Sequence, residues 1–196
     1  MRITGGDIRG RKLTGPKGSE SHFLRPTSDR VREALFNILG SEVEGRVVLD
    51  LFAGTGSLGL EALSRGAAYA LFVDQSSRSL SLIKRNVEAC FPAERAGILR
   101  ANLGSPSGFH KIHTLCHGQP GFDLILLDPP YEKKLAIMAL EMIDKTGILK
   151  PEGLVVVEER QNVVLPDTTG KLRIRTSKKY GETGLWVYET TYSPSN

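Results

Sequence analysis

Three segments of the chain hold residues whose types and spacing can do chemistry. The first is Val48-Leu49-Asp50-Leu51-Phe52-Ala53-Gly54-Thr55-Gly56-Ser57-Leu58-Gly59. Glycines let a backbone approach a ligand closely and reach positive φ. The spacing Gly54-x-Gly56-x-x-Gly59 also fits a dinucleotide fingerprint. A tight strand-to-helix turn with no ligand is the competing reading. Asp50 separates the candidate cofactors, because a carboxylate four residues ahead of Gly54 would repel a pyrophosphate. It can instead receive an ammonium group, directly or through water, together with backbone carbonyls. S-adenosylmethionine offers an amino-acid ammonium and no phosphate. The loop therefore favours that sulfonium cofactor over NAD, with Asp50, Phe52, Gly54 and Gly56 as its contacts.

The second segment is Asp74, which ends the apolar run Leu71-Phe72-Val73 twenty residues after Gly54. A carboxylate there can accept both hydroxyls of a ribose. NAD enzymes use the same arrangement, so Asp74 supports a nucleoside cofactor without choosing one. A cap for a helix starting near Ser76 is the structural alternative.

The third segment points to the reaction. The run Leu124-Ile125-Leu126-Leu127 leads into Asp128-Pro129-Pro130-Tyr131, at the carboxyl edge of a strand, where α/β proteins bind ligands. Two prolines stiffen the turn and remove two N–H donors, so its carbonyls can point at a ligand. An exocyclic amine on a base is a poor nucleophile, because its lone pair is delocalised into the ring. Accepting hydrogen bonds from its two N–H groups, by the Asp128 carboxylate and the Pro129 carbonyl, would localise that lone pair toward a methyl group. Tyr131 can stack on the base, worth about 1–3 kcal/mol. Aligning amine and sulfonium could remove roughly 7–11 kcal/mol of barrier. The expected catalytic residues are Asp128, Pro129 and Tyr131.

These residues need a sheet to hold them. Near-continuous apolar strands are expected at Arg46–Leu51, Ala70–Val73, Gly97–Ala101, Phe122–Leu127 and Leu154–Val157. Helices fall between them, at Ser76–Cys90 and Glu132–Lys145 among others, which indicates an α/β fold with a mostly parallel sheet covered on both faces. A further helix follows Pro26, with Thr27 or Ser28 as its cap, Val31, Leu35 and Ile38 on one face, and Gly40 as its stop. Lys171–Thr176 and Leu185–Thr190 read as an antiparallel hairpin around Tyr180-Gly181. Residues 101–121 carry His110, His113, Cys116 and His117 with no carboxylate beside them. A surface loop or short helix is expected there, and no metal site.

At 196 residues the chain is expected to form a single domain, with residues 1–26 as a basic arm or hairpin. No apolar run suits a membrane helix, and the start has no secretory pattern. Two separated cysteines suit a reduced, cytoplasmic protein, expected to be a monomer. The net charge of +4 is uneven: residues 1–32 carry eight basic against three acidic side chains, and residues 171–182 five against one. Basic ends on a neutral body suggest a polyanionic partner, with ordinary solvated charge as the competing reading. On these residues alone, RNA methylation stands beside DNA adenine-N6 or cytosine-N4 methylation. A chain of this length leaves no room for a separate domain that reads a duplex sequence. A non-catalytic nucleotide- or NAD-binding module is the reading from another class.

The motifs together add a resemblance. They are Arg9-Gly10-Arg11-Lys12-Leu13, Leu24-Arg25-Pro26-Thr27, Asp29 to Asn37, Leu49 to Gly56, Gly59 to Ala67, Leu127 to Tyr131, and Lys179-Tyr180-Gly181-Glu182-Thr183. Nearly end to end, the chain resembles a class I methyltransferase, specifically the bacterial 16S rRNA (guanine-N2)-methyltransferase family of the RsmD type. The resemblance implies a Rossmann-like sheet of seven strands whose last strand is antiparallel. It implies methyl transfer from S-adenosylmethionine to a guanine of small-subunit rRNA, free or in an assembling particle. It also implies that Asp50, Gly54 and Gly56 bind the methionine end and Asp74 the ribose. Where the family has an acidic residue facing the adenine amine, this chain has Asn102, whose side-chain oxygen or the neighbouring Leu103 N–H would serve. Arg9, Arg11, Lys12 and Arg25 are the expected RNA contacts.

Overall fold

The computed structural model describes residues 1–16, 28–116, 121–130 and 134–191. The chain divides into two compact units, Met1–Arg100 and Ala101–Asn196. In the first, the chain runs α1 (Asp29–Leu39), β1 (Val47–Leu51), α2 (Ser57–Ser64), β2 (Tyr69–Asp74), α3 (Ser77–Cys90) and β3 (Ala96–Arg100). Its strands lie in the order β3-β2-β1, all parallel, with Asp50 opposite Phe72 and Asp74 opposite Arg100. The core strands are apolar because both their faces are covered: Val48, Leu49, Leu51, Ala70, Phe72 and Val73 are all fully buried. Each large aliphatic or aromatic side chain buried this way is worth about 1.5–3 kcal/mol.

Helix α1 starts where its cap chemistry predicts. The Ser28 hydroxyl accepts from the Val31 N–H at 3.2 Å, and Gly40 closes the helix at φ +56°. Its buried face holds Val31, Arg32, Leu35, Phe36 and Leu39. Ile38, expected on that face, is only half-buried, and a charged residue, Arg32, lies inside.

The second unit holds α4 (Pro106–Leu115), β4 (Phe122–Leu127), α5 (Leu135–Thr146), β5 (Leu149–Arg160), β6 (Thr168–Thr169), β7 (Leu172–Tyr180) and β8 (Thr183–Thr190). The order is β4-β5-β8-β7-β6, with β4 and β5 parallel and every later pairing antiparallel. The last strand is therefore antiparallel, as expected, and it sits inside the sheet, with Gly184 to Tyr188 all buried. The expected seven strands become eight among the described residues. The addition is β6, two residues that pair with Leu172 and Arg173. So short a segment leaves no alternating pattern to read. Strand β5 is also longer than its apolar run, because its first residues step across an irregularity opposite Phe122 and Leu124.

The segment with the histidines forms α4, whose apolar side buries Phe109 and Ile112 while His110 and His113 lie on exposed positions. No cluster of three or more metal-ligating side chains occurs among the described residues, and His117 lies outside them. None of the helices there is long and apolar enough to cross a membrane.

Candidate functional site

The turn after β1 is strained, and glycine relieves only part of the strain. Gly54 and Gly56 adopt φ +56° and +78°. Phe52 adopts φ +60° with a full side chain, a conformation that costs of order 1–3 kcal/mol and concentrates at functional turns. The Gly56 N–H closes the turn on the Ala53 carbonyl at 2.7 Å. Gly56 is also the cap of α2 and has no side chain to offer. Asp50 supplies the missing acceptor from the strand below: its Oδ2 accepts from the Gly59 N–H at 2.9 Å. A carboxylate at a helix N-terminus is stabilising. Asp50 is only 1% exposed, so its first role is to fix the loop that the cofactor reading needs. Gly59 has a packing role. A Cβ there would come within 2.4 Å of the Phe72 ring and 3.0 Å of Asp50.

Asp74 ties two elements together. Its Oδ2 accepts from the Gly54 N–H at 2.9 Å, and its Oδ1 from the Ser76 N–H at 2.8 Å. Ser76 itself caps α3 by accepting from the Ser79 N–H at 3.3 Å. The helix-start reading of Asp74 thus holds in part. Each carboxylate oxygen has room for about two hydrogen bonds. Half-buried Asp74 therefore keeps acceptor capacity on both oxygens, which fits a ribose diol.

The remaining expected residues belong to the second unit. Asn102 is exposed, and its Oδ1 turns back to accept from the Gly104 N–H at 2.9 Å. The Leu103 side chain is buried, 2% exposed, which fixes the backbone beside it. Asp128 is half-buried, Pro129 buried and Pro130 exposed. They follow directly on β4, whose Leu124 to Leu127 are at most 1% exposed, so the turn has a rigid base. Tyr131 and Arg25 lie outside the described residues. The structure thus joins Asp50, the glycine loop and Asp74 by hydrogen bonds within one unit, and sets Asn102, Leu103, Asp128 and Pro129 in the other.

The model of the family described as conserved hypothetical protein 95 matches residues 1–189. Ribosomal RNA small subunit methyltransferase D of Escherichia coli (strain K12) is 33% identical over 189 residues, covering 96% of this chain and 89% of that protein. Its counterpart of the same name in Haemophilus influenzae is 36% identical over 180 residues, covering 90% and 89%. The chain belongs to this methyltransferase family. Among solved structures, Escherichia coli yhhF superposes with a TM-score of 0.80 at 30% identity, covering 97% of both chains. The α/β, Rossmann-like fold class follows from that match and from the strand orders above.

The N-terminal arm is docked on α2. Residues 2–13 fold back as a small hairpin, with Ile3 N–H donating to the Arg11 carbonyl at 3.0 Å and Gly10 N–H to the Ile3 carbonyl at 2.9 Å. Glu61 of α2, 0% exposed, holds one side of it. Its carboxylate accepts from the Thr4 N–H at 2.8 Å, the Thr4 hydroxyl at 2.7 Å, Arg32 Nε at 3.2 Å and Arg65 Nε at 2.9 Å. Arg32 also donates to the Arg2 carbonyl, and to Asp29 at 2.8 Å. The Ser64 hydroxyl donates to the Gly5 carbonyl at 2.7 Å and accepts from the Ile8 N–H at 3.2 Å. Sequence reasoning passed over Glu61 and Arg32. The one available signal was a lone carboxylate in the otherwise apolar Leu58–Leu63. The three arm cations expected to meet RNA differ in their partners. Arg9, Arg11 and Lys12 are all exposed, and Arg11 also donates to the Ala89 carbonyl at 2.7 Å. Burial raises the neighbouring Cys90 thiol above its usual pKa, against an opposing pull from Arg11.

Proposed function

We propose that this chain transfers a methyl group from S-adenosylmethionine to the exocyclic N2 amine of a guanine in small-subunit ribosomal RNA. The observation that carries the proposal is a family match over residues 1–189 that takes in both the acidic glycine loop and Asp128-Pro129-Pro130-Tyr131. The loop and Asp74 hold the donor, with the Asp74 oxygens on the ribose. Bound there, S-adenosylmethionine supplies an electrophilic methyl group, whose transfer forms an N–C bond and leaves the C–S electron pair on sulfur. The Asp128 carboxylate and the Pro129 carbonyl accept from the two amine N–H groups, turn the nitrogen lone pair toward the methyl, and favour the cation that forms. Asp128 then receives the departing proton or passes it to water. Tyr131 stacks on the base. Arg9 and Lys12 contact the RNA backbone, which steers by charge without reading sequence.

The test is transfer of labelled methyl to 16S rRNA and to immature small-subunit particles, followed by nucleoside analysis. N2-methylguanosine is the expected product. Label in duplex DNA with none in RNA would refute the proposal.

A further inference from the structure

The N-terminal arm and the glycine loop share one side chain, Asn86 of α3. Asn86 is 2% exposed. Its Oδ1 accepts from the Thr14 N–H at 2.7 Å, and its Nδ2 donates to the Thr14 carbonyl at 3.1 Å and to the Thr55 carbonyl at 3.1 Å. An N–H only donates and a carbonyl only accepts, so the flipped amide would lose all three bonds. Asn86 pairs with the arm as a neighbouring strand residue would, and shares the same amide with the loop.

The grip on the loop is complete at one peptide. The Thr55 carbonyl is held by Asn86, and the Gly56 N–H of the same planar unit is held by the Ala53 carbonyl at 2.7 Å. On its Gly56 side no Cβ restrains that plane, so its tilt leans on these hydrogen bonds. The arm meets the loop a second time, where the Thr55 hydroxyl lies 3.5 Å from Met1 Sδ. The same arm carries the exposed cations Arg9 and Lys12.

We propose that Asn86 is a positioning residue that couples the arm to the cofactor loop, so that RNA on the arm and methyl donor in the loop bind cooperatively. The inference rests on the donor and RNA assignments above. RNA held by the arm favours its docked state. That state completes the Asn86 network and sets the Thr55–Gly56 peptide. By linkage, the donor must then favour the docked arm equally.

The test is calorimetric titration of the full chain with S-adenosylhomocysteine, with and without a saturating 16S rRNA transcript. Wild-type protein should bind about tenfold more tightly with RNA present, within the usual range of coupling. Asn86→Asp keeps the acceptor for Thr14 and deletes both donated bonds at almost unchanged volume. Its gain should fall below about twofold. A purely structural role would lower both affinities and leave their ratio intact. No gain in wild type, or an undiminished gain in the variant, overturns the coupling. A check that needs no substitution is hydrogen exchange on wild-type protein. S-adenosylhomocysteine should slow exchange at the Thr14 amide, and an unchanged rate overturns the proposal. If wild-type protein binds no S-adenosylhomocysteine at all, the donor assignment itself fails, and the coupling falls with it.

Discussion

Glu61→Gln should loosen the arm and cost much of the stability of the first unit. The substitution keeps shape and removes charge. Four donors converge on the native carboxylate, from Thr4, Arg32 and Arg65. An amide can accept at only one of its two ends, so at least one donor would face an N–H. The larger cost is electrostatic. The Arg32 side chain is 0% exposed and would lose its fully buried partner. Breaking a buried ion pair from one side costs about 3–5 kcal/mol. Arg32 keeps Asp29 at 2.8 Å, but that side chain is 42% exposed and partly screened. The expectation is therefore the lower end, about 3 kcal/mol, against a total stability of roughly 5–15 kcal/mol. For a chain of this size that is a fall in Tm of about 6–12 °C. Thermal unfolding followed by circular dichroism measures it, and trypsin should cut faster after Arg9 and Arg11. The double variant Glu61→Leu with Arg32→Met removes both fully buried charges and should recover part of the loss, the rest staying with Arg65, 19% exposed, and Thr4, which still lack their acceptor. A fall in Tm under about 2 °C for Glu61→Gln, or a double variant no better than the single, would refute the reasoning.

Three other outcomes are expected. Asp128→Ala should lower methyl transfer by at least about 100-fold while leaving S-adenosylmethionine affinity within about twofold; lost cofactor binding with an unchanged rate on bound cofactor would contradict the assigned role. Arg9→Ala with Lys12→Ala should reduce the slope of log K against log salt for RNA binding by about 1.4 to 1.8, and an unchanged slope would remove the arm from the RNA surface. The phenol of Tyr188, buried and donating to the Pro166 carbonyl at 2.8 Å, is held well above its usual pKa by burial first and by Asp167 second. The unfolded chain then loses this proton at lower pH than the folded one, so it binds fewer protons at alkaline pH and stability falls as pH rises above about 10. Urea unfolding across that range should show a shallower decline for Tyr188→Phe, and equal slopes for the two proteins would rule the effect out.

Sequence by itself determined what depends on near neighbours. The apolar runs identified the core strands, because a strand buried on both faces has no polar positions to spare. Ser28 and Gly40 marked the ends of α1, because a cap acts within one turn. The placement of Gly54 and Gly56 anticipated the positive φ that both adopt. Asp128-Pro129-Pro130 was legible as a stiff turn following β4, because proline limits its own φ and the conformation of the residue before it.

Only the tertiary structure decided which polar groups meet. Glu61 and Asn86 read as ordinary helical residues, yet their partners lie 57 and 72 residues away, at Thr4 and Thr14. A hydrogen-bond network of that span leaves no periodic trace, since its geometry exists only once the arm has packed on α2 and α3. The same holds for Asp50 and Asp74. Sequence marked both as carboxylates at strand ends, but packing committed one Asp50 oxygen to the Gly59 N–H and gave each Asp74 oxygen a backbone N–H. It likewise tied one arm cation to the body: Arg11, exposed like Arg9 and Lys12, donates to the Ala89 carbonyl of α3. Residue type supplied the charge. The fold decided whether that charge holds the protein together or stays on its surface.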